Sequence, residues 1–436
     1  MPEQVEITRA QGNPTWTAEP AGNGIDAALN AASGIKTGDV GVLTSPAEAV
    51  AVATQLIPEF AQRAADYDRD GVFPVEDFIR LRQVGLLGLM VPTRLGGPGA
   101  GFADYAAVAM ELARGNPSTA LVFNMHASVT GALARTSDEL AQAMGVPESF
   151  FAARDRILRA VVEEGAWYAV AMSERRAGSR LSQSTTRYHR TEYGFRIRGS
   201  KTFVSGAGHA HGYLVTACGE PWPDGTARVS QFLVPAGPGV VVEPTWDSLG
   251  MRATGSHDVH FDVEVPADAL IGGMEGLAVL LAQAMPQWMV ASYAAVYVGV
   301  AQAALDAAVT HVGERSTGHL PAVRARIGRA DAAVAAARMS VLEAARRVDT
   351  APGEPETNRW VWRAKLLAGD TAMQVAASML EAAGAAATRR GNTLERLYRD
   401  ARCGALQPAT SDVCADWLGV AALGGDPEAD GVAARW

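Results

Sequence analysis

Five short stretches carry the side chains and turns that can do chemistry. The first, Ala171-Met172-Ser173-Glu174-Arg175-Arg176-Ala177-Gly178-Ser179, leaves a strand and enters a turn of small residues. Backbone N–H groups and small hydroxyls in such a turn can approach a flat ring or a phosphate closely. A surface loop with a capping serine is the plainer explanation of the same residues. The second, Gly199-Ser200-Lys201-Thr202-Phe203-Val204-Ser205-Gly206-Ala207, puts an aromatic, an aliphatic and a hydroxyl at a strand end. Phe203 can stack on a planar heterocycle and Ser205 can donate to a ring nitrogen. A core phenylalanine beside a turn serine would look alike. The third is Leu249 to Val259. The fourth runs from Lys365 to Asp370, with Gln374 and then Leu380 to Gly384. The fifth is Glu395 to Arg402. His126 lies in Phe123-Asn124-Met125-His126, and His209 and His211 follow the second stretch. Each histidine can move a proton near neutrality or serve as a wall or loop residue. No third ligand stands at a spacing that suggests a metal, and none is expected.

These stretches need a sizeable scaffold. The chain has 436 residues, 48% hydrophobic and 19% charged, which suits two or three packed domains. A net charge of −9 and the lack of a long basic run argue against nucleic acid as a partner. Cys218, Cys403 and Cys414 are odd in number and far apart, so neither a disulfide framework nor zinc is expected, and a cytoplasmic location fits. No secretory signal is visible. The run from Gly276 to Leu305 has no charged residue, but Gln283, Pro286, Gln287, Ser292 and Gln302 interrupt it. It reads as a buried bundle helix, with no membrane involvement.

Periodicity divides the chain. Residues 1–45 read as a flexible N-terminal extension. Residues 46–165 read as a helical domain, with Ala49, Ala53, Leu56 and Phe60 recurring at helical steps. Residues 166–273 read as strands. Val259, Phe261, Val263 and Val265 alternate with Asp258, His260, Asp262 and Glu264, and Pro266 ends the run. Short strands with Gly and Pro turns imply an antiparallel β-barrel or sandwich. Residues 274–436 read as a four-helix bundle, with helices expected over 276–313, 320–350, 356–387 and 406–423. The fold class is therefore α+β multidomain: helical domain, central antiparallel β-barrel, C-terminal bundle.

In this order and spacing, the five stretches resemble the acyl-CoA dehydrogenase superfamily over about residues 50–425. The resemblance implies bound FAD and an acyl thioester, on CoA or a carrier protein, as substrate. It implies flavin contacts at Met172, Ser173 and Ser179, and at Phe203, Val204 and Ser205 along the ring. Arg180 stands where the family usually has aspartate. The family's Arg-x-x-Phe-Gly stretch, which reaches a neighbouring subunit's dinucleotide, is shortened here to Arg315-Ser316-Thr317-Gly318. Its Gly-Gly turn is Gly384-Ala385. Arg315, Thr317, Gly384 and Ala385 would thus serve a neighbour's cofactor, which implies a homotetramer. Thr410 and Asp412 complete the implied flavin contacts. Electron-transfer flavoprotein or a flavin reductase is the implied redox partner.

The family's catalytic glutamate has no counterpart. Counting on from Arg399-Asp400, Pro408 stands at its position, followed by Ala409-Thr410-Ser411-Asp412. The alternative position on the first bundle helix falls at Met289-Val290. Proline has neither a titratable group nor an N–H, so it cannot take a proton. Three readings follow. The first is a CH–CH dehydrogenase of acyl thioesters with a relocated base, for which Asp412 and then His126 are the candidates and Glu174 is another nearby carboxylate. The second is a reduced-flavin monooxygenase performing C- or N-hydroxylation, a branch of the superfamily without that glutamate. The stretches after Phe203-Val204 and at Thr254-Gly255-Ser256 resemble that branch. The third is a non-redox, flavin-bound scaffold. Met285, Trp288 and Met289 are expected to line a pocket or core.

Overall fold

The computed structural model describes residues 40–429 apart from 136, 137 and 144. Most of the extension expected at 1–45 lies outside the described residues. Six helices come first: α1 (Pro46–Asp70), α2 (Val75–Gln83), α3 (Phe102–Gly115), α4 (Pro117–Ala134), α5 (Asp138–Ala143) and α6 (Glu148–Glu163). Their ends follow from the sequence. Ser45 caps α1 by accepting from the Glu48 N–H, and Gly71 stops it in the left-handed conformation. Asn116 caps α4, with Pro117 in its first turn. α4 is buried almost all round, because α3, the sheet and the C-terminal bundle pack against it.

Seven strands form one curled sheet: β1 (Tyr168–Ala171), β2 (Arg187–Arg190), β3 (Gly194–Val204), β4 (Gly212–Cys218), β5 (Val229–Pro235), β6 (Val240–Glu243) and β7 (His257–Pro266). The long ladders, β3–β7 and β4–β5, are antiparallel. A purely antiparallel sheet was expected, but β1 pairs with β4 in parallel, Tyr168 opposite Gly212. β1 enters from the helical domain, and forty residues containing the first two stretches separate it from β4. A connection that long permits a parallel return that a hairpin does not. The alternation read in β7 is real, with Val259, Phe261, Val263 and Val265 all buried.

The C-terminal bundle contains α7 (Leu277–Ala284), α8 (Ala291–Glu314), α9 (Pro321–Thr350), α10 (Pro355–Ala383), α11 (Thr393–Arg402) and α12 (Ser411–Ala422). The single helix expected over 276–313 is broken at 285–290. Pro286 offers no N–H to continue α7, and Met285 before it is driven out of helical geometry (φ −137°). Trp288 fills this break. Its ring packs on Gly131 where any side chain would collide with it, and it meets Phe102 and Tyr105 edge-on. It is therefore a core residue. The last helix starts at Ser411 rather than 406, and α11 is a separate helix within the fifth stretch. α8, charge-free up to Leu305, lies inside the protein: most of its residues are buried against α3, α4, α10 and α11.

Polar ties join the three layers. Asp349 of α9 accepts from the Phe102 and Ala103 N–H groups at 2.7 and 2.9 Å, capping α3 from the other end of the chain. Asp400 of α11 accepts from the Met251 N–H at 2.6 Å. Arg399 reaches both Asp68 and the Leu249 carbonyl.

Candidate flavin cleft

The first two stretches meet at the end of β3. The Thr202 N–H donates to the Ser173 carbonyl at 2.9 Å, and buried Lys201 donates to the Met172 carbonyl at 3.2 Å. The loop's shape is fixed from inside. The Glu174 carboxylate accepts from Lys201 Nζ (2.9 Å), the Thr185 N–H (2.7 Å), the Thr185 hydroxyl (2.6 Å), the Thr186 N–H (3.0 Å) and the Ser184 hydroxyl. Burial alone would raise its pKa, but Lys201 and these donors hold it far below the usual carboxylate range. Glu174 is thus a saturated anion and no base. Met172 and Ser173 border β3, and Ser179 follows the tight Glu174–Gly178 turn.

Phe203 has φ +57°, a left-handed value that strains a side-chain-bearing residue, and its ring is 64% exposed. It meets Trp246 edge-on, centroids 6.0 Å apart, and the two rings line a cleft of about 320 Å³ with Arg175, Thr202, Thr245, Ser256 and Asp258. Val204 is turned into the core. Behind Phe203, Ser205 and Ser256 share a hydrogen bond of 2.9 Å, Ser256 and Thr254 one of 2.7 Å, and Thr254 donates to the Met251 carbonyl. That last bond uses the Thr254 proton, so Ser256 donates to Thr254 and Ser205 donates to Ser256. Ser205 then offers lone pairs to a ligand, and accepts where the sequence suggested a donor. Two rings, a hydroxyl relay and a close-approach loop fit a planar heterocycle with polar edges, and the cleft volume lies in the range of ligand sites.

The remaining candidates lie elsewhere. Arg315 caps the far end of α8, Gly384 (φ +82°) caps α10, Ala385 follows it, and Thr317 closes the turn after α8. An ion pair between Arg326, near the start of α9, and Glu381, near the end of α10, ties those two helices together. The start of α8 packs near Asn124, through the Tyr105 bonds to Asn124 and to the Ser292 carbonyl, and Val122, two residues before Asn124 on α4, lies against Gly206. A helix of 24 residues is roughly 36 Å long, so Arg315 stands far from Phe203 of its own chain.

His126 is not placed for catalysis. It is fully buried, Nε2 donates to the Leu87 carbonyl at 2.8 Å, and Nδ1 accepts from the Tyr168 N–H at 3.2 Å. Both nitrogens are spent joining the helical domain to β1. Burial pushes its pKa down to about 4. Asp412 is exposed in the first turn of α12, and Thr410 caps that helix by accepting from the Val413 N–H. Where the glutamate was sought, Lys365 Nζ donates to the Gly404 and Gln407 carbonyls at 2.9 and 3.3 Å. Burial pushes this lysine down to about 8. Among the described residues the buried Asn124 amide nitrogen and Tyr297 hydroxyl have no partner. The sequence reading missed Asp258, Arg175, Trp246 and Lys365, since their roles arise from strand register and long-range packing.

A helical layer, a curled sheet and a helical bundle around a cleft for a planar heterocycle define a flavoenzyme scaffold. Residues 50–147, 169–263 and 291–411 match the N-terminal, middle and C-terminal domains of acyl-CoA dehydrogenase. The chain belongs to the acyl-CoA dehydrogenase superfamily. It is 33% identical over 398 residues to L-evernosamine nitrososynthase of a Micromonospora species, covering 87% of this chain and 91% of that protein. It is 30% identical over 363 residues to cyclohex-1-ene-1-carbonyl-CoA dehydrogenase of Geobacter metallireducens, covering 81% and 91%. The crystal structure of FMN-bound TdsC from Paenibacillus sp. A11-2, a dibenzothiophene monooxygenase, superposes with a TM-score of 0.75 at 27% identity, covering 86% and 97%. The chain is an oxidoreductase-family flavoprotein whose relatives include dehydrogenases, nitrososynthases and monooxygenases.

Proposed function

We propose that this protein is a reduced-flavin-dependent monooxygenase that uses FMN and oxygenates a nitrogen or sulfur atom of a small molecule, rather than an FAD-dependent dehydrogenase of acyl thioesters. The carrying observation is the segment 403–412. Pro408 stands at the base position, Lys365 occupies the backbone carbonyls around it, Asp412 is exposed, and Met289-Val290 supplies no acid at the alternative position. Removal of an α-proton needs a desolvated base within hydrogen-bond reach, and oxygen transfer to a heteroatom does not. Of the relatives named above, the nitrososynthase and the monooxygenase carry names that imply oxygen transfer, while the Geobacter protein is named a dehydrogenase, so the reading rests on the segment 403–412. FMN is favoured over FAD because the relative TdsC binds FMN and the dinucleotide-reaching stretch is shortened at Arg315–Gly318.

Reduced flavin supplies two electrons to dioxygen, so that one oxygen atom reaches the substrate and the other leaves as water. Phe203 and Trp246 would hold the ring edge, Ser205 would accept from an N–H of the ligand, and the loop 172–179 would flank it. A flavin reductase is the expected electron source. The homotetramer implied by the family resemblance is part of this reading, and an apolar groove of about 970 Å³ on α9, α10 and α12, lined by Met339, Trp360, Leu367 and Leu418, supports association of copies.

The test supplies purified protein with a flavin reductase, NADH, FMN and dioxygen, and offers amines and thioethers. Oxygenated product formed in step with NADH is expected. Anaerobic bleaching of the bound flavin by an acyl-CoA, with formation of the enoyl product, would overturn the reading.

A further inference from the structure

We infer that Asp258 is the positioning residue of the flavin cleft: it sets the bulge that aims Phe203, and it ties to that bulge the two other segments lining the cleft. The β3–β7 ladder pairs Lys201 with Val259 and then Val204 with His257. Thr202 and Phe203 therefore face one residue, Asp258, across the ladder. Two residues opposite one is a bulge, which kinks its strand and re-aims a side chain. Here it turns Phe203 out of the sheet, at positive φ, into the cleft.

The Asp258 carboxylate is 5% exposed and holds three segments. Oδ1 accepts from the Thr202 hydroxyl at 2.7 Å, inside the bulge. The same oxygen accepts from the Thr245 hydroxyl at 3.1 Å, and Thr245 Oγ1 accepts in return from the Asp258 N–H at 3.1 Å. Thr245 precedes Trp246, the ring that meets Phe203. Oδ2 receives Arg175 through Nε at 2.8 Å and Nη2 at 2.7 Å, pinning the loop of the first stretch. Next to it, His257 Nδ1 accepts from the Thr245 and Trp246 N–H groups, both at 3.1 Å. Burial raises the Asp258 pKa, but Thr202, Arg175 and Thr245 outweigh it and keep the carboxyl below its usual range. A left-handed phenylalanine persists only where its surroundings over-determine it, and these bonds supply that constraint.

This inference rests on the reading of the cleft as a flavin site, and the experiment separates the two. FMN dissociation constants are measured for the full-length protein and for D258A, D258N, T202V and F203A, with crystal structures of D258A and D258N. Asparagine keeps an acceptor for Thr202 and Thr245 but sets an amide NH2 against Arg175, so D258N should keep the bulge, lose the loop tie and bind FMN about threefold more weakly. D258A, which releases all three segments, should bind FMN about tenfold more weakly, and T202V, which frees only the bulge, about fivefold, as F203A does. In D258A, Phe203 should leave positive φ and lose its contact with Trp246, and D258N should preserve both. If wild type binds FMN, F203A weakens it, and D258A and T202V do not, the positioning role fails and the flavin site stands. If F203A leaves FMN affinity unchanged, the flavin site fails. The D258A structure then decides alone: Phe203 unmoved at positive φ overturns the inference. Should D258A not fold, T202V carries the affinity arm and its own structure the geometric one.

Discussion

The cleft at Phe203 and the segment Cys403–Asp412 are organised in opposite ways. Around the cleft, carboxylates are present and saturated: Glu174 takes five donors and Asp258 takes donors from three segments. Their charge is spent on backbone shape, and what they present is aromatic and hydroxylic. In the 403–412 segment the buried charge is a cation, Lys365, and its partners are backbone carbonyls. The first region is anion-braced around an aromatic cleft. The second has no carboxylate of its own until the exposed Asp412, and the one that reaches it, Asp370 of α10, accepts from the Ser411 hydroxyl at 2.7 Å. The contrast teaches that a count of acids does not locate a base: those near the ligand are structural, and the place where a base would act has none.

The largest effect should come from unpairing the brace. Glu174→Ala leaves Lys201 buried without its anion, which costs about 3–5 kcal/mol. Urea unfolding should show this loss, and a Glu174→Leu/Lys201→Met double variant should recover much of it. A loss below about 1 kcal/mol for Glu174→Ala would remove the brace from the comparison and reopen Glu174 as a functional acid.

His126 sharpens the contrast through pH. Its folded pKa of about 4 lies below the ordinary 6.5, so the unfolded chain binds the proton more readily. Stability from this group is present above pH 6.5 and lost as pH falls toward 4, by about 3 kcal/mol over the full interval. The geometry gives the reason: Nδ1 already faces the Tyr168 N–H, and a second hydrogen there collides with the first. His126→Gln should be less stable at pH 7 but lose less stability between pH 6.5 and 4.5. Parallel acid profiles for variant and wild type would show that His126 is not the titrating clamp.

Much of this was legible in the sequence, for reasons that are local. The alternation of Val259 to Val265 gave β7, Ser45 and Gly71 bound α1, and the order of the five stretches led to the family. What was not legible depends on register or on distant partners. Asp258 looks like one more outward acid in Asp258, His260, Asp262, Glu264, and only the bulge separates it from the other three. The α7–α8 break could have been read from Pro286. The parallel β1–β4 pair could not, since nothing near Tyr168 names its partner. Lys365 opened the fourth stretch without a role, and its partner Gly404 lies thirty-nine positions away.

Phe203→Ala tests the cleft at a smaller scale. Losing an aromatic contact removes about 1 kcal/mol beyond burial, a change of roughly fivefold in flavin affinity. Trp246→Ala should act similarly, and the double variant should lose less than the sum, because the two rings buttress each other. Strict additivity would mean that the rings touch the ligand independently or not at all.

The smallest expected effect is the most telling for the other region. Asp412→Asn should change turnover by less than about twofold. A general base contributes about 10²–10⁴-fold, so the two outcomes are well separated. Asp412 is exposed in the first turn of α12, where the helix N-terminus and water stabilise its charge, and nothing there desolvates it for proton abstraction. The variant also leaves the Thr410 cap and the Ser411–Asp370 hydrogen bond intact, so a loss of activity could not be assigned to misfolding of α12. A hundredfold fall with flavin affinity preserved would make Asp412 the base, restore thioester dehydrogenation as the leading reading, and show that the segment closes over its ligand. Pro408→Glu approaches the question from the other side. If it gains α,β-desaturation of an acyl-CoA while Asp412→Asn stays silent, the scaffold still aligns a thioester with the flavin, and the missing carboxylate alone separates this chain from a dehydrogenase.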